Sequence, residues 1–244
     1  MDVGDCQREV DHLIDQLVAH ADFQYREGNA RVMRTALKLY GVRVPDLRQI
    51  ARDWRAAHRG ISTDAMLRLI DALWNGASYE ERALAIFILS GYPRVLTSLT
   101  QETFDRWRTL IDNWGLCDGL ATGLLGPWIQ ADAAERLDYL RTLIGSDDVW
   151  SRRLALVGTA SINRGRSGPT IPDLTFDLID AVKVERHPMI TKAVSWALRE
   201  MTKTQRDRVA AYIEANRDVL APLVVREVSN KLRTGLKSGR ERTE

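Results

Sequence analysis

The sequence predicts an all-α protein built from stacked antiparallel helix pairs, and three observations carry that expectation. Nearly every segment of the 244 residues repeats its apolar positions with a helical period, as in Val10–Leu17, Val32–Leu39, Leu47–Trp54, Met66–Trp74 and Leu84–Leu89. No stretch alternates cleanly with period two, so no strand is expected. Finally, the runs that begin at Tyr79, Trp114, Trp150 and Met189 resemble one another and are spaced by 35, 36 and 39 residues. A period near 40 with two helices per repeat is the mark of a HEAT-like α-solenoid.

Along the chain, the connectors are short: Tyr40-Gly41, Arg59-Gly60-Ile61-Ser62 and Asn75-Gly76-Ala77-Ser78. The longest break, Asn163–Pro169, reads as a surface loop within one body. Residues 1–236 are therefore expected to form a single HEAT-like repeat domain, and 237–244 a polar, frayed tail. Each repeat anchor opens the second helix of its pair, behind cap residues at Asp112, Asp148 or His187-Pro188. In three units a large side chain precedes a basic one by three positions: Tyr79/Arg82, Trp150/Arg153 and Met189/Lys192. The Trp114 unit instead carries a carboxylate, Asp118, four positions on. Parallel stacking would line these helix N-termini along one concave surface, where their partial positive charge favours phosphate.

Composition narrows the function without naming it. Apolar residues make up 45% and charged residues 28%, ordinary for a globular chain. No apolar run reaches the roughly 20 residues that span a bilayer. The acidic start Met1–Cys6 lacks the order of a signal peptide, so a cytoplasmic protein is expected, and separately a monomer. Cys6 and Cys117 are too few for a disulfide framework, and the four histidines show no metal-ligand spacing. A net charge of +2 leaves any nucleic-acid contact to a local basic surface.

Three helices hold the unusual residues. On the helix from Trp114, Leu116, Cys117, Leu120, Leu124 and Trp128 form the core stripe, with Trp114 and Asp118 on its flank. Gly115, Gly119 and Gly126 gather on another face, and each costs about 1 kcal/mol relative to alanine, which calls for a close neighbour. Trp114 reads equally as a core aromatic, and Asp118 as a local cap or ion-pair partner. On the helix from Trp150, Arg153 either pairs internally or grips an anion. On the third helix Trp196 lies opposite the core stripe with Lys192 and Arg199, so it either packs under their stems or offers its ring to a sugar, base or cation. Trp54, Trp74, Trp107 and Trp128 belong to the core. Together the candidate residues suit a nucleic-acid backbone better than a metabolite.

Four segments in register, Tyr40–Arg48, Asn113–Asp118, Trp150–Arg153 and Lys192–Glu200, resemble the DNA alkylation repair family, and more closely its AlkD-type alkylpurine glycosylases. The resemblance covers about residues 10–235. It implies a HEAT-like solenoid holding duplex DNA on its concave face. It also implies excision of cationic N3- and N7-alkylpurines by hydrolysis of the N-glycosidic bond, as monofunctional base-excision repair acting at the nucleoid. By position it matches Trp114, Asp118 and Trp196 to the catalytic cleft and Arg153 to a functional arginine; Lys192, Arg199, Trp150 and Arg43 are further candidates for DNA binding. Relatives often carry a bulkier or acidic residue where Gly115 stands. The family works without a base-flipping pocket and needs neither metal nor cofactor. A non-catalytic binder of distorted or branched DNA and a protein-interaction scaffold remain as alternatives.

Overall fold

The structure is a computed structural model that describes residues 3–165 and 168–239. The described residues form fifteen α-helices and one π-helical turn, with no strand beyond an isolated bridge between Lys38 and Ser78. The chain divides into two compact units, Met1–Leu124 and Leu125–Glu244.

The first unit contains α1 (Val3–Ala19), α2 (Phe23–Met33), α3 (Val44–Ala57), α4 (Thr63–Trp74), α5 (Tyr79–Leu89), α6 (Pro93–Thr97), α7 (Gln101–Arg108) and α8 (Trp114–Leu120). At its centre is α5, which packs on α3, α4 and α8 and is buried on nearly every side. Its start is a full capping box: Ser78 accepts from the Glu81 amide, and Glu81 accepts from the Ser78 amide. Trp54, Trp74 and Trp107 lie in the core as expected, at most 4% exposed.

One expected helix ends early. The period over Val32–Leu39 predicts a continuous helix, yet α2 stops at Met33 and Arg34 takes a left-handed conformation with φ 51°. The reason lies elsewhere in the chain. The Asp112 carboxylate accepts from the Thr35 hydroxyl and the Ala36 amide, both at 2.7 Å. The fully buried Glu80 carboxylate accepts from the amides of Tyr40, Gly41 and Val42 at 3.1, 2.8 and 3.3 Å. Lys38 closes the arrangement by exchanging backbone bonds with Ala77 and Tyr79. Two distant carboxylates and one bridge thus offer this backbone more than a helix does, since buried amides must find acceptors somewhere. Gly41 has φ +85°, and a Cβ there would sit 2.3 Å from the Asp22 carbonyl, so no other residue fits.

The second unit contains α9 (Gly126–Ala131), α10 (Ala133–Ile144), α11 (Val149–Ile162), α12 (Pro172–Val182), α13 (Pro188–Met201), α14 (Arg206–Ala215) and α15 (Pro222–Thr234). Here the pairing expected from the repeat is plain. The second helices α11, α13 and α15 pack on one another in sequence, and α10, α12 and α14 flank them. Asp148 and His187 cap α11 and α13 with their side chains, as the sequence predicts. Trp128 is core, 4% exposed. Within the expected loop, Asn163 is buried and bonded to Thr175 and Ile171, while residues 166–167 lie outside the described part. Of the expected tail, residues 237–239 are tied to α15 through Asn230 and Glu227, and 240–244 lie outside the described residues.

Candidate functional site: the Trp114 helix and its cleft

The helix that carries Trp114 begins at Asn113, whose side chain accepts from the Leu116 amide at 3.0 Å. The expectation that Asp112 caps this helix is corrected: Asp112 points back to the Thr35–Ala36 segment and to the Asn113 amide group. Burial pushes the Asp112 carboxyl up, but bonds from Thr35, Asn113 and Ala36 and the charge of Arg82 outweigh it and hold it below the usual range. The cap and its neighbour therefore do different work. One satisfies the helix, and the other ties it to a loop 77 residues away.

Trp114 is 36% exposed, and its indole N–H reaches only the Val32 carbonyl at 3.4 Å. Asp118 follows one turn later and is half-buried. The core stripe Leu116, Cys117, Leu120 and Leu124 is at most 1% exposed, so these residues do fix the orientation of the helix. The helix does not run on regularly. Pro127 offers no N–H to the Gly123 carbonyl, and the chain widens into a π-helical turn over Ala121–Leu125.

The glycines earn their place by proximity. A Cβ on Gly115 would meet the Met33 methyl at 2.4 Å and the Tyr79 hydroxyl at 3.0 Å. On Gly119 and Gly123 it would meet Ile86 at 3.2 and 2.9 Å. The row that approaches α5 is thus 115, 119 and 123; the sequence reading chose Gly126 as its third member and missed Gly123. Along this row a cleft of about 430 Å³ opens, walled by α2, α3, α5 and α8 and lined mainly by apolar and aromatic side chains. Trp114 lines it, as do Tyr25, Met33, Tyr79 and Phe87. Sequence reasoning did not foresee this cleft, because its walls come from four helices. Burial, with smaller contributions from Glu80, Tyr25 and Asp118, pushes the Tyr79 phenol up to about 12. Arg43, expected to bind DNA, is the residue before α3; it pairs with Asp22 at 2.9 Å and stacks on Tyr25.

The remaining candidates lie in the second unit. Arg153 is 5% exposed and donates to the Met189 carbonyl at 2.6 Å. The corresponding Arg82 of the first unit is buried likewise and donates to the Leu110 carbonyl at 2.6 Å and to Gly76. The recurring arginine three positions after the anchor thus ties its helix to a later segment of the chain, the turn at Leu110 for Arg82 and α13 for Arg153, and a phosphate grip by the buried Arg153 is not what its surroundings provide. Arg199 is similarly committed. It donates to Ser195 at 3.2 Å and faces Glu227 at 3.8 Å, and Glu227 also accepts from Ser195 at 2.6 Å. The half-buried Trp196 has the Arg164 guanidinium 5.7 Å from its ring centre. Burial raises the Glu200 carboxyl, but Lys203, Arg164 and the Trp196 indole N–H together bring it below its ordinary range. Lys192 is exposed, and Trp150 is half-buried. Among the described residues no three potential metal ligands cluster, and no helix is long and apolar enough to cross a membrane.

This architecture is shared with solved structures. A protein from Enterococcus faecalis, described as a predicted DNA alkylation repair enzyme, superposes with a TM-score of 0.69 at 20% identity, over 86% of this chain and 95% of that one. The chain is also similar to AlkD2 from Streptococcus mutans, with a TM-score of 0.50 at 17% identity over 70% and 80% of the two chains. The smu.31 protein of Streptococcus mutans UA159 gives 0.51 at 16% over 78% and 90%. At such identities these likenesses speak for the fold alone. No curated protein matches the sequence. The family described as DNA alkylation repair enzyme matches residues 13–232, nearly the whole chain. The protein belongs to the DNA alkylation repair enzyme family.

Proposed function

We propose that the protein is a monofunctional DNA glycosylase that releases cationic N3- and N7-alkylated purines from duplex DNA. The observation that carries this reading is the Trp114–Asp118 pair: an exposed indole and a half-buried carboxylate one turn apart on a helix fixed by its core stripe. Membership of the alkylation repair family supplies the substrate class.

The chemistry asks for little more. An N3- or N7-alkylpurine already carries positive charge and departs as a neutral base without a general acid. The barrier lies in the cationic, oxocarbenium-like sugar left behind. A fixed carboxylate beside that sugar stabilises the developing charge and orients the attacking water. Asp118 has that role, and Trp114 offers a ring face to the cationic nucleotide. From the second unit, the exposed Lys192 is assigned contact with a phosphate of the DNA strand, while Trp196 keeps its ring beneath Arg164. Arg153 and Arg199 act by holding the fold, and the exposed Arg43 stays in its surface pair with Asp22. No metal ion or organic cofactor enters these steps.

The test is release of 3-methyladenine and 7-methylguanine from alkylated duplex DNA, wild type against Asp118→Asn, followed by chromatography of the freed bases. Wild-type release with a fall of about a hundredfold or more in the variant is expected, in line with loss of one charge-stabilising group. Equal activity in the variant, or no release by the wild type, would sink the reading.

A further inference from the structure

Tyr79 stands where two helices meet. It opens α5 directly behind the Ser78 cap, and its capping box and burial hold that helix in place. The ring crosses to α8, where its hydroxyl and Cε2 lie 3.0 and 3.1 Å from the point a Cβ on Gly115 would occupy. A side chain at 115 would crowd the phenol, so the glycine is what lets it lie against this helix. Gly115 and Asp118 are three positions apart and so are neighbours on the helix surface, about 5–6 Å between Cβ positions. The hydroxyl therefore rests beside the face from which the Asp118 carboxylate projects.

Nothing in the fold uses this hydroxyl. It makes no hydrogen bond among the described residues, although a phenol can both donate and accept. Three titratable neighbours act on it: Glu80, Tyr25 and Asp118. Glu80 is turned to the amides of residues 40–42, and Tyr25 lies under the Arg43 guanidinium, 4.8 Å from its ring centre. Asp118 is the neighbour that shares a helix surface with the place where the hydroxyl rests. Burial first, and then these neighbours, push the phenol up to about 12, so it stays neutral across the working pH range. A neutral phenol of this kind is suited to fix a water and not to take its proton.

We propose that Tyr79 positions the attacking water, holding it jointly with Asp118. The proposal rests on the glycosylase reading and gives its carboxylate a partner. The water donates one hydrogen to the Asp118 carboxylate and the other to the Tyr79 oxygen, which leaves a lone pair directed at C1′ of the sugar. The bond from C1′ to the purine nitrogen breaks, and its electron pair leaves with the cationic base and neutralises it. The water oxygen bonds to C1′, and the surplus proton passes to Asp118 and then to solvent. Two holders fix an orientation that one leaves free to swing, so the gain is in rate and not in DNA affinity.

Single-turnover release of 7-methylguanine from a duplex with one such lesion separates the two, as a limiting rate and a half-saturating enzyme concentration. Tyr79→Phe removes one oxygen to which no other group bonds, so the fold is kept, and the urea midpoint at neutral pH checks it. The limiting rate should fall about three- to tenfold, the loss of one hydrogen bond, with half-saturation within about twofold of wild type. In the Asp118→Asn background the same substitution should cost less than about twofold, because the two groups hold one water. A wild-type rate in Tyr79→Phe, a loss that appears in half-saturation instead, or equal losses in both backgrounds overturns the proposal. In each of those cases the glycosylase reading stands, provided the wild type excises and Asp118→Asn is impaired. No excision by the wild type defeats that reading, and the role of Tyr79 with it.

Discussion

Trp114 and Trp196 look alike in the sequence and differ in the folded chain. Both sit off the core stripe of a second helix, and both resemble catalytic tryptophans. In the structure Trp114 is exposed, held by one long hydrogen bond, and lines a cleft. Trp196 is half-buried, with Arg164 over its ring and its N–H directed at Glu200. The first is available to a partner as it stands. The second already has one. An indole on a basic face is thus ambiguous until its ring faces are accounted for, because the cations that would recruit a phosphate can equally cover the ring.

The contrast can be broken most forcefully from behind Trp114. Glu80→Ala leaves three amides without their buried acceptor, and a loss of about 3 kcal/mol or more in urea unfolding is expected. A loss under about 1 kcal/mol would mean that the segment beside the Trp114 helix is held by something else. Next in size, Trp196→Ala should cost about 2 kcal/mol, below the range for a fully buried tryptophan because the site is only half-buried. Trp114→Ala should change stability by less than about 1 kcal/mol while lowering excision at least tenfold. If the two tryptophans destabilise equally, the distinction drawn here fails.

A smaller effect sharpens the picture through pH. The folded Tyr79 phenol titrates near 12, above its unfolded value near 10, so the folded state holds its proton longer. Its stabilising contribution is complete below pH 10 and is lost as pH rises from 10 toward 12. Tyr92 and Tyr212 shift in the same direction, so the informative quantity is the difference between wild type and Tyr79→Phe. A shallower fall in the urea midpoint of the variant between pH 10 and 11.5 is expected.

What was legible in the sequence follows from how local each cause is. The helical class, the core tryptophans and the caps at Asp148 and His187 depend on near neighbours and were read correctly. The early end of α2 was not, because the groups that end it, Glu80 and Asp112, lie 38 to 77 residues away. Of the capping pair Asp112-Asn113 only Asn113 caps, since either side chain suits a cap locally and the partners that draw Asp112 away are distant in sequence. The arginines misled through their spacing. Arg82 and Arg153 recur at a fixed place because each ties its helix to a later segment, and a repeated structural need looks like a repeated functional one. For the candidate site, Trp114 and Asp118 were visible, but the cleft was not, since four helices build it.

The clamp on residues 35–42 has a consequence for how the chain tolerates change. Most of what fixes this segment's path is written outside it, in two acids on and before other helices. Since the acids grip mainly backbone amides, many side chains there are free to vary, Gly41, the buried Val42 and the Thr35 hydroxyl excepted. The segment that borders Trp114 is therefore a place where new surface chemistry can be tried without redesigning the fold, provided Glu80 and Asp112 stay.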